Sequence, residues 1–323
     1  MTSPVPHRAL TTLGTLAVPL AIAVVPFVAA GAWADQLPDP VAVHFGPDGA
    51  DGFSSLAGAL WPVAIASVTL TFACWALAFF WGRTALVRRI SAATALGMAT
   101  FLTALVVGML HLQRGLAHAA GVTGMDPVIG VALALGLAVA ALGAWAVPGD
   151  PYLPATEPVP PRAALLDLGP DESATWVTHA TSRPALLGGG SGAALMLALG
   201  LALSIPALVV AAAVVAALVL SSTRFTVTVD RRGLTVRSAV GWPRLSVPLD
   251  EVLQASATTV SPIAEFGGWG YRVGRGGRVG VVLRTGEGLQ VQRTGGRSFV
   301  VTVDDAATGA ALLNTLAARS RVA

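Results

Sequence analysis

The sequence predicts a polytopic α-helical membrane protein with six spans, followed by a β-rich C-terminal domain closed by a helix. Three observations carry that expectation. First, of 323 residues 54% are hydrophobic and only 11% are charged, with a mean hydropathy of +0.71. Soluble domains carry about a quarter of their residues as charges, and they need them to cover their surface. Second, the few charges punctuate long uncharged runs. Third, the pattern switches to period two from Arg224 onward, where 13 of the 20 basic residues lie. A disordered chain, a DNA-binding protein and an ordinary cytosolic enzyme are excluded as descriptions of the whole.

The spans follow from run length, since a helix needs about 20 apolar residues to cross the hydrocarbon core. Between Arg8 and Asp35 lie 26 uncharged residues, between Asp51 and Arg83 31, between Arg89 and Arg114 24, and between Asp126 and Asp150 23. Each fits one span. The 40 uncharged residues from Pro184 to Thr223 are too many for one helix. Pro206 near their middle divides them into Leu187–Ser204 and Ile205–Ser222, a two-span hairpin; one long kinked helix is the competing reading. Ala32-Trp33-Ala34 before Asp35 has the form of a signal-peptidase site. The apolar stretch before it is longer than a signal core, so it is read as an uncleaved span.

Arginine counts set the orientation. The loop 35–55 has four Asp and no Arg, whereas Arg83–Arg89 holds three Arg in seven residues. The acidic loop is therefore expected outside, and both termini in the cytoplasm. Trp33, Trp61, Trp81 and Trp145 fall near span ends, where interfacial aromatics belong.

The external loop alternates Val41, Val43 and Phe45 with Ala42 and His44, an extended piece bounded by proline and glycine turns. Asp39, His44, Asp48 and Asp51 are the candidate ligand-binding residues, because His and carboxylates can hold a cation or a polar partner. Their spacing matches neither a zinc signature nor an EF-hand. The competing reading makes Asp and Gly turn-formers and His44 a donor to the loop itself. The run Leu37-Pro38-Asp39-Pro40-Val41-Ala42-Val43-His44-Phe45-Gly46, then Gly49 and Asp51-Gly52-Phe53, resembles a bacterial domain of unknown function. That domain links two membrane helices and also begins immunity proteins against the sporulation-delay toxin. The resemblance covers about residues 9–82 and implies no particular biochemical activity.

Residues 148–185 hold Pro148, Pro151, Pro154, Pro158, Pro160 and Pro161 and read as a stiff cytoplasmic linker, with a short interfacial helix starting at Trp176 and Val177. This gives four regions: a four-span unit over 1–147, the linker, a hairpin over 186–223 and a basic domain over 224–323.

That last domain carries 13 Arg against 7 acids. Strands are expected at Phe225–Val229, Leu234–Ser238, Arg244–Pro248, Glu251–Ala257, Trp269–Val273, Gly280–Arg284, Leu289–Arg293 and Ser298–Val303. Asp304-Asp305 then caps a helix with Leu312, Leu313 and Leu316 on one face. Several segments carry a further resemblance: the hairpin before Arg224-Phe225, Val227-Thr228-Val229-Asp230 with Gly233-Leu234, Gly241-Trp242-Pro243, Val247-Pro248-Leu249-Asp250-Glu251-Val252 and Gly268-Trp269-Gly270-Tyr271-Arg272. Together they are similar to the bacterial pleckstrin-homology-like domains that follow a two-helix membrane hairpin. The resemblance covers about residues 186–318. Bacterial members share no uniform ligand, so it implies the fold and no specific ligand. Arg272, Arg275 and Arg278, interleaved with glycines, are the candidate membrane-surface residues, facing anionic inner-leaflet lipids; solubilising charges on a hairpin tip are the alternative.

Catalytic chemistry finds little support. The five His are dispersed, Cys74 is the one cysteine, and no nucleophile or zinc-protease motif appears. The chain has no Lys, which reads first as codon bias in a GC-rich genome but also excludes Lys-dependent phosphate loops and Schiff-base chemistry. His111, Arg114 and His118 could form a polar patch at an outer span end. The expectation is a non-enzymatic protein that binds or senses at the cell envelope and carries a cytoplasmic adaptor domain. Its partners would be the lipid bilayer, anionic lipids or a protein. No nucleic acid, metal or cofactor is expected. A transporter or channel component, or an immunity-type protein, is the alternative.

Overall fold

The computed structural model describes residues 5–46, 49–169, 172–241 and 243–321. It contains six helices long and apolar enough to cross a membrane, and a β-rich C-terminal region with a closing helix. The chain forms two compact units: Val5–Asp150 with Ser204–Ala207, and the chain from Pro151 onward apart from those four residues.

The first unit holds α1 (Arg8–Gln36), α2 (Leu56–Trp81), α3 (Ala85–Leu112) and α4 (Met125–Ala146). Between α1 and α2 lies an antiparallel hairpin of β1 (Val41–Gly46) and β2 (Gly49–Ser54). Ser55 starts α2 by accepting the Gly58 N–H at 3.1 Å. α3 is the central helix and packs against α1, α2 and α4. Its approach to α4 is close because both present glycine. A Cβ at Gly136 would lie 2.9 Å from the Phe101 Cβ and 3.0 Å from the Gly97 carbonyl oxygen.

The second unit contains α5 (Arg183–Ala202) and, from Leu208 on, α6 (Pro206–Thr223), the two-helix hairpin expected from Pro206. Pro206 opens α6 instead of kinking one long helix, the position where a missing N–H costs nothing. The helices touch through glycines: a Cβ at Gly189 would meet Val219 at 2.5 Å, and one at Gly200 would meet Val209 at 2.9 Å.

The β-rich region is built from two sheets. One has the order β3 (Trp176–Thr181), β4 (Arg224–Asp230), β5 (Gly233–Ser238), β6 (Arg244–Val247), all antiparallel. The other comprises β7 (Val252–Val260), β8 (Gly270–Val273), β9 (Val279–Val282), β10 (Gly286–Arg293) and β11 (Arg297–Thr302), in the order β7-β10-β11-β9-β8. Its one parallel pairing is β9 with β11. A short helix, α7 (Pro262–Phe266), lies between β7 and β8. The closing helix α8 (Ala306–Arg319) packs on β7 and β10 and reaches β3, β4 and β5. Phe225, Val227, Val229, Leu234 and Val236 are buried, the inward half of the period-two pattern.

Three expectations change. Trp176 and Val177 begin a strand, not an interfacial helix, because the Trp176–Thr181 backbone pairs along β4 in register. Asp305 precedes α8 with φ +57°, and its carboxylate accepts from the Thr308 hydroxyl at 2.7 Å instead of capping a backbone N–H. The prolines from 151 onward do not stand off as a spacer. Their segment lies along the β-rich region, with Ala155 N–H donating to the Asp250 carbonyl at 2.6 Å and Leu166 N–H to Thr315 Oγ1 at 2.8 Å. Proline fixes an extended backbone, and here that backbone is held by specific bonds.

Candidate functional site

The loop between α1 and α2 is a folded cap. Strict alternation would place Val41, Val43 and Phe45 on one face. Instead Val41 and Ala42 are both buried and Val43 and His44 both exposed. The register with β2 shifts on each side of His44. Such bulges re-aim side chains, and here they let two consecutive residues bury while the next two face solvent. Val41 packs with Ala30, Leu60, Val106 and Leu110 of α1, α2 and α3. Ala42 packs instead with Ala119 and Val122.

The cap is fastened by one side chain that sequence reasoning missed. Fully buried Gln113 accepts the Ala42 N–H at 2.7 Å through Oε1 and donates Nε2 to the Ala42 carbonyl at 3.0 Å. It also donates to the Met109 carbonyl at 3.2 Å. The signal for it was an amide just past the end of an otherwise apolar run. Beside it, Arg114 donates to Gln36 Oε1 at 2.9 and 2.7 Å, and its guanidinium lies 4.8 Å from the Trp33 ring. His111 approaches the same Trp33 ring at 5.8 Å, so the polar patch forms around Arg114 and His111.

On this platform the His44 Nδ1–H donates to Asp51 Oδ1 at 2.5 Å, with the two side chains 74% and 56% exposed. The carboxylate can only accept, so it fixes the imidazole orientation and leaves Nε2 toward solvent. Val43 and Phe53 are exposed on the same hairpin. The structure therefore joins His44 with Asp51. Asp39 is exposed but is not brought into a cluster with them, and Asp48 lies outside the described residues. Among the described residues, no three His, Cys, Asp or Glu side chains converge in a way that could hold a metal ion. The hairpin can offer a fixed hydrogen-bonding pair flanked by apolar side chains to a partner.

The second set of candidates separates. Arg278 donates to Glu265 Oε2 at 2.8 Å and covers the Phe266 ring at 5.4 Å. The Ser261 N–H and Arg278 hold the Glu265 carboxyl below its ordinary range. Arg272 is exposed and donates to the Trp269 carbonyl at 2.9 Å, and Arg275 is exposed on the turn between β8 and β9. Only two of the three arginines therefore offer an outward charge.

The chain matches no protein-family profile, no curated protein and no solved structure.

Proposed function

We propose that this chain is a multi-pass membrane protein that recognises a peptide or protein segment at the outer surface, without catalysis, through the β1–β2 cap. One observation carries the reading. The loop is anchored through both backbone groups of Ala42 to Gln113, while His44, Asp51, Val43 and Phe53 are presented outward. An anchored backbone with exposed polar and apolar groups loses little conformational freedom on binding. The six apolar helices and the arginine asymmetry of the loops support a reading with the cap outside and the C-terminal region in the cytoplasm.

The C-terminal region is read as a pleckstrin-homology-like adaptor. Four antiparallel strands (β3–β6), three more (β7, β10 and β11) and the helix α8 support that reading. In it, β8 and β9 are an inserted hairpin added to the β11 edge.

The test has two arms. With Cys74 replaced by alanine, His44→Cys is expected to react with a membrane-impermeant maleimide in intact cells, and Arg231→Cys only after permeabilisation. In a deletion strain, a gene carrying His44→Ala and Asp51→Ala together is expected to fail to restore the wild-type phenotype despite normal protein levels. Full complementation by that double variant would overturn the recognition role. A substrate-uptake defect in the deletion strain, complemented by the double variant, would point to transport instead.

A further inference from the structure

The two apolar helices of the second unit run directly into its four-stranded sheet. One residue, Ser182, separates β3 from α5, and none separates α6 from β4. The junction is tied by the Ser182 N–H donating to the Thr223 carbonyl at 2.9 Å, and Thr181 pairs directly with Arg224. The end of the sheet is thus fixed at the end of the helices.

That end is strongly basic. Arg183 begins α5, Arg224 begins β4, Arg237 lies near the end of β5 and Arg244 begins β6; all four are exposed. The Ala239 N–H donates to the Arg224 carbonyl at 2.9 Å, and Thr226 pairs with Arg237, which pairs with Arg244. Along β4 the inward residues are Phe225 and Val227, so Arg224 and Thr226 point outward, and Arg237 and Arg244 share that outer face. Arg237 and Arg244 are therefore cross-strand neighbours of like charge, an arrangement that is unfavourable by itself. Among the described residues, none of the four forms an ion pair. The far turn is built differently: Arg231 and Arg232 stand beside Asp230, whose carboxylate accepts the Arg232 N–H at 2.8 Å.

We infer that Arg183, Arg224, Arg237 and Arg244 form a binding surface for anionic phospholipid headgroups at the root of the helix hairpin. The inference rests on the reading that α5 and α6 cross the membrane. Geometry places the arginines at the right depth. Arg237 is two strand residues beyond Arg224, about 7 Å at ~3.4 Å per residue. The headgroup region extends roughly 5–8 Å beyond each face of the hydrocarbon core. Guanidinium groups match phosphate with paired donors, and a phosphate between Arg237 and Arg244 would relieve their repulsion. The exposed Val240 in the β5–β6 turn adds an apolar contact beside them. This surface differs from the Arg272–Arg278 turn in that chain continuity holds it against the ends of the apolar helices.

The experiment uses the full chain in lipid nanodiscs of phosphatidylcholine alone or with phosphatidylglycerol. Lipid retained on the protein is read by native mass spectrometry, and backbone exchange is read over residues 237–241 and 243–246. The wild type is expected to retain phosphatidylglycerol preferentially and to exchange more slowly there in the mixed discs. Arg237→Gln with Arg244→Gln is expected to weaken retention roughly fivefold per arginine removed, and to erase the exchange difference. Unchanged retention in that variant, or loss of the preference in Arg272→Gln with Arg275→Gln instead, would overturn the site. Equal unfolding temperatures of wild type and variants exclude misfolding as the cause. Failure of the wild type to enter discs at all would overturn the membrane reading on which the site depends.

Discussion

Arg88 and Asp150 close the first unit at one end. The Arg88 side chain is fully buried, and its Nη2 lies 3.4 Å from Asp150 Oδ1. The same carboxylate oxygen accepts the Ala85 N–H at 2.5 Å, at the start of α3. Arg88 also donates to the Gly82 carbonyl at 2.7 Å and to the Pro148 and Gly149 carbonyls at 3.2 and 3.1 Å. One guanidinium thus joins the chain leaving α2 to the chain leaving α4.

Removing that guanidinium strands the carbonyls and the carboxylate together. Arg88→Ala is expected to destabilise the detergent-solubilised protein by about 3–5 kcal/mol, the cost of breaking a buried pair from one side. Asp150→Asn keeps an acceptor for Ala85 and leaves Arg88 its bonds to the Gly82, Pro148 and Gly149 carbonyls. The buried charge loses its counter-ion, so the expected cost is about 2–3 kcal/mol, below that of Arg88→Ala. Thermal unfolding of both variants checks the ranking, and equal losses would show that the carboxylate charge, not the guanidinium bonds, dominates.

Gln113 fastens the cap by gripping both backbone groups of Ala42. Gln113→Leu keeps volume but leaves a buried N–H and a buried C=O without that partner. Each costs about 1–3 kcal/mol. The expected outcome is faster hydrogen exchange at Ala42, with α2 and α4 unaffected. If the cap is the recognition surface, the variant also weakens complementation while leaving His44 and Asp51 in place. Unchanged exchange at Ala42 would mean that packing of Val41 alone orders the hairpin.

Asn314 performs the same operation in the second unit. Its Oδ1 accepts the Ala255 N–H at 2.7 Å, and its Nδ2 donates to the Ala255 and Ala164 carbonyls at 2.9 and 3.0 Å. It therefore ties α8 to β7 and to the proline-containing segment at once. Asn314→Leu is expected to cost about 2–4 kcal/mol. It should also make the chain around Ala164 more susceptible to limited proteolysis, a readout that a loss confined to β7 would not move.

Acid sensitivity follows from Glu251. Burial pushes its carboxyl upward, but hydrogen bonds from Arg293 and the Leu153 N–H, with the charges of Arg293 and Arg297, outweigh it and hold it below 4.5. Arg297 Nη2 stands 3.2 Å from Oε1, and Arg293 contacts Oε2. A carboxyl with a depressed folded pKa contributes stability that is complete above its unfolded value. That contribution is lost as pH falls through the folded value. The second unit is therefore expected to hold its stability from neutrality down to about pH 4.5 and to lose it below. Glu251→Gln should lower stability at pH 7 by about 3 kcal/mol and flatten the acid limb. An acid limb as steep as the wild type's would assign the titration to other carboxylates.

The parts legible in the sequence were those set by long runs and by periodicity. Uncharged runs located the six apolar helices, Pro206 separated α5 from α6, and alternation found β4 and β5 almost to the residue. Readings that depended on single side chains fared differently. In the sequence Arg88 reads as a loop charge, although it is fully buried and its hydrogen bonds reach carbonyls about 60 residues later in the chain. Trp176 looked interfacial because its partner strand begins 48 residues further on, beyond any local window. At the cap, alternation shows an extended piece but not which residues bury, because the bulges around His44 decide that. His44 and Asp51 stand out by residue type, but their pairing depends on the hairpin register. Gln113 and Asn314 carry no motif, since one amide bonding one backbone residue leaves no spacing to recognise.

Two glycines of α4 separate packing from propensity. At Gly136 a Cβ would meet the Phe101 Cβ at 2.9 Å and the Gly97 carbonyl at 3.0 Å, and the carbonyl belongs to a helix backbone that cannot step aside. At Gly130 nothing lies within 4 Å. Replacing glycine by alanine in an open helix position favours the helix by about 0.5–1 kcal/mol. Forcing a methyl into a filled interface costs about 1–3 kcal/mol. Gly136→Ala is therefore expected to lower the unfolding temperature and Gly130→Ala to leave it unchanged or raise it slightly. Because both substitutions add the same methyl to the same helix, helix propensity cancels between them. What remains is the closeness of α3 to α4. If the two variants unfold alike, the helices stand further apart than the Gly97–Gly136 contact requires.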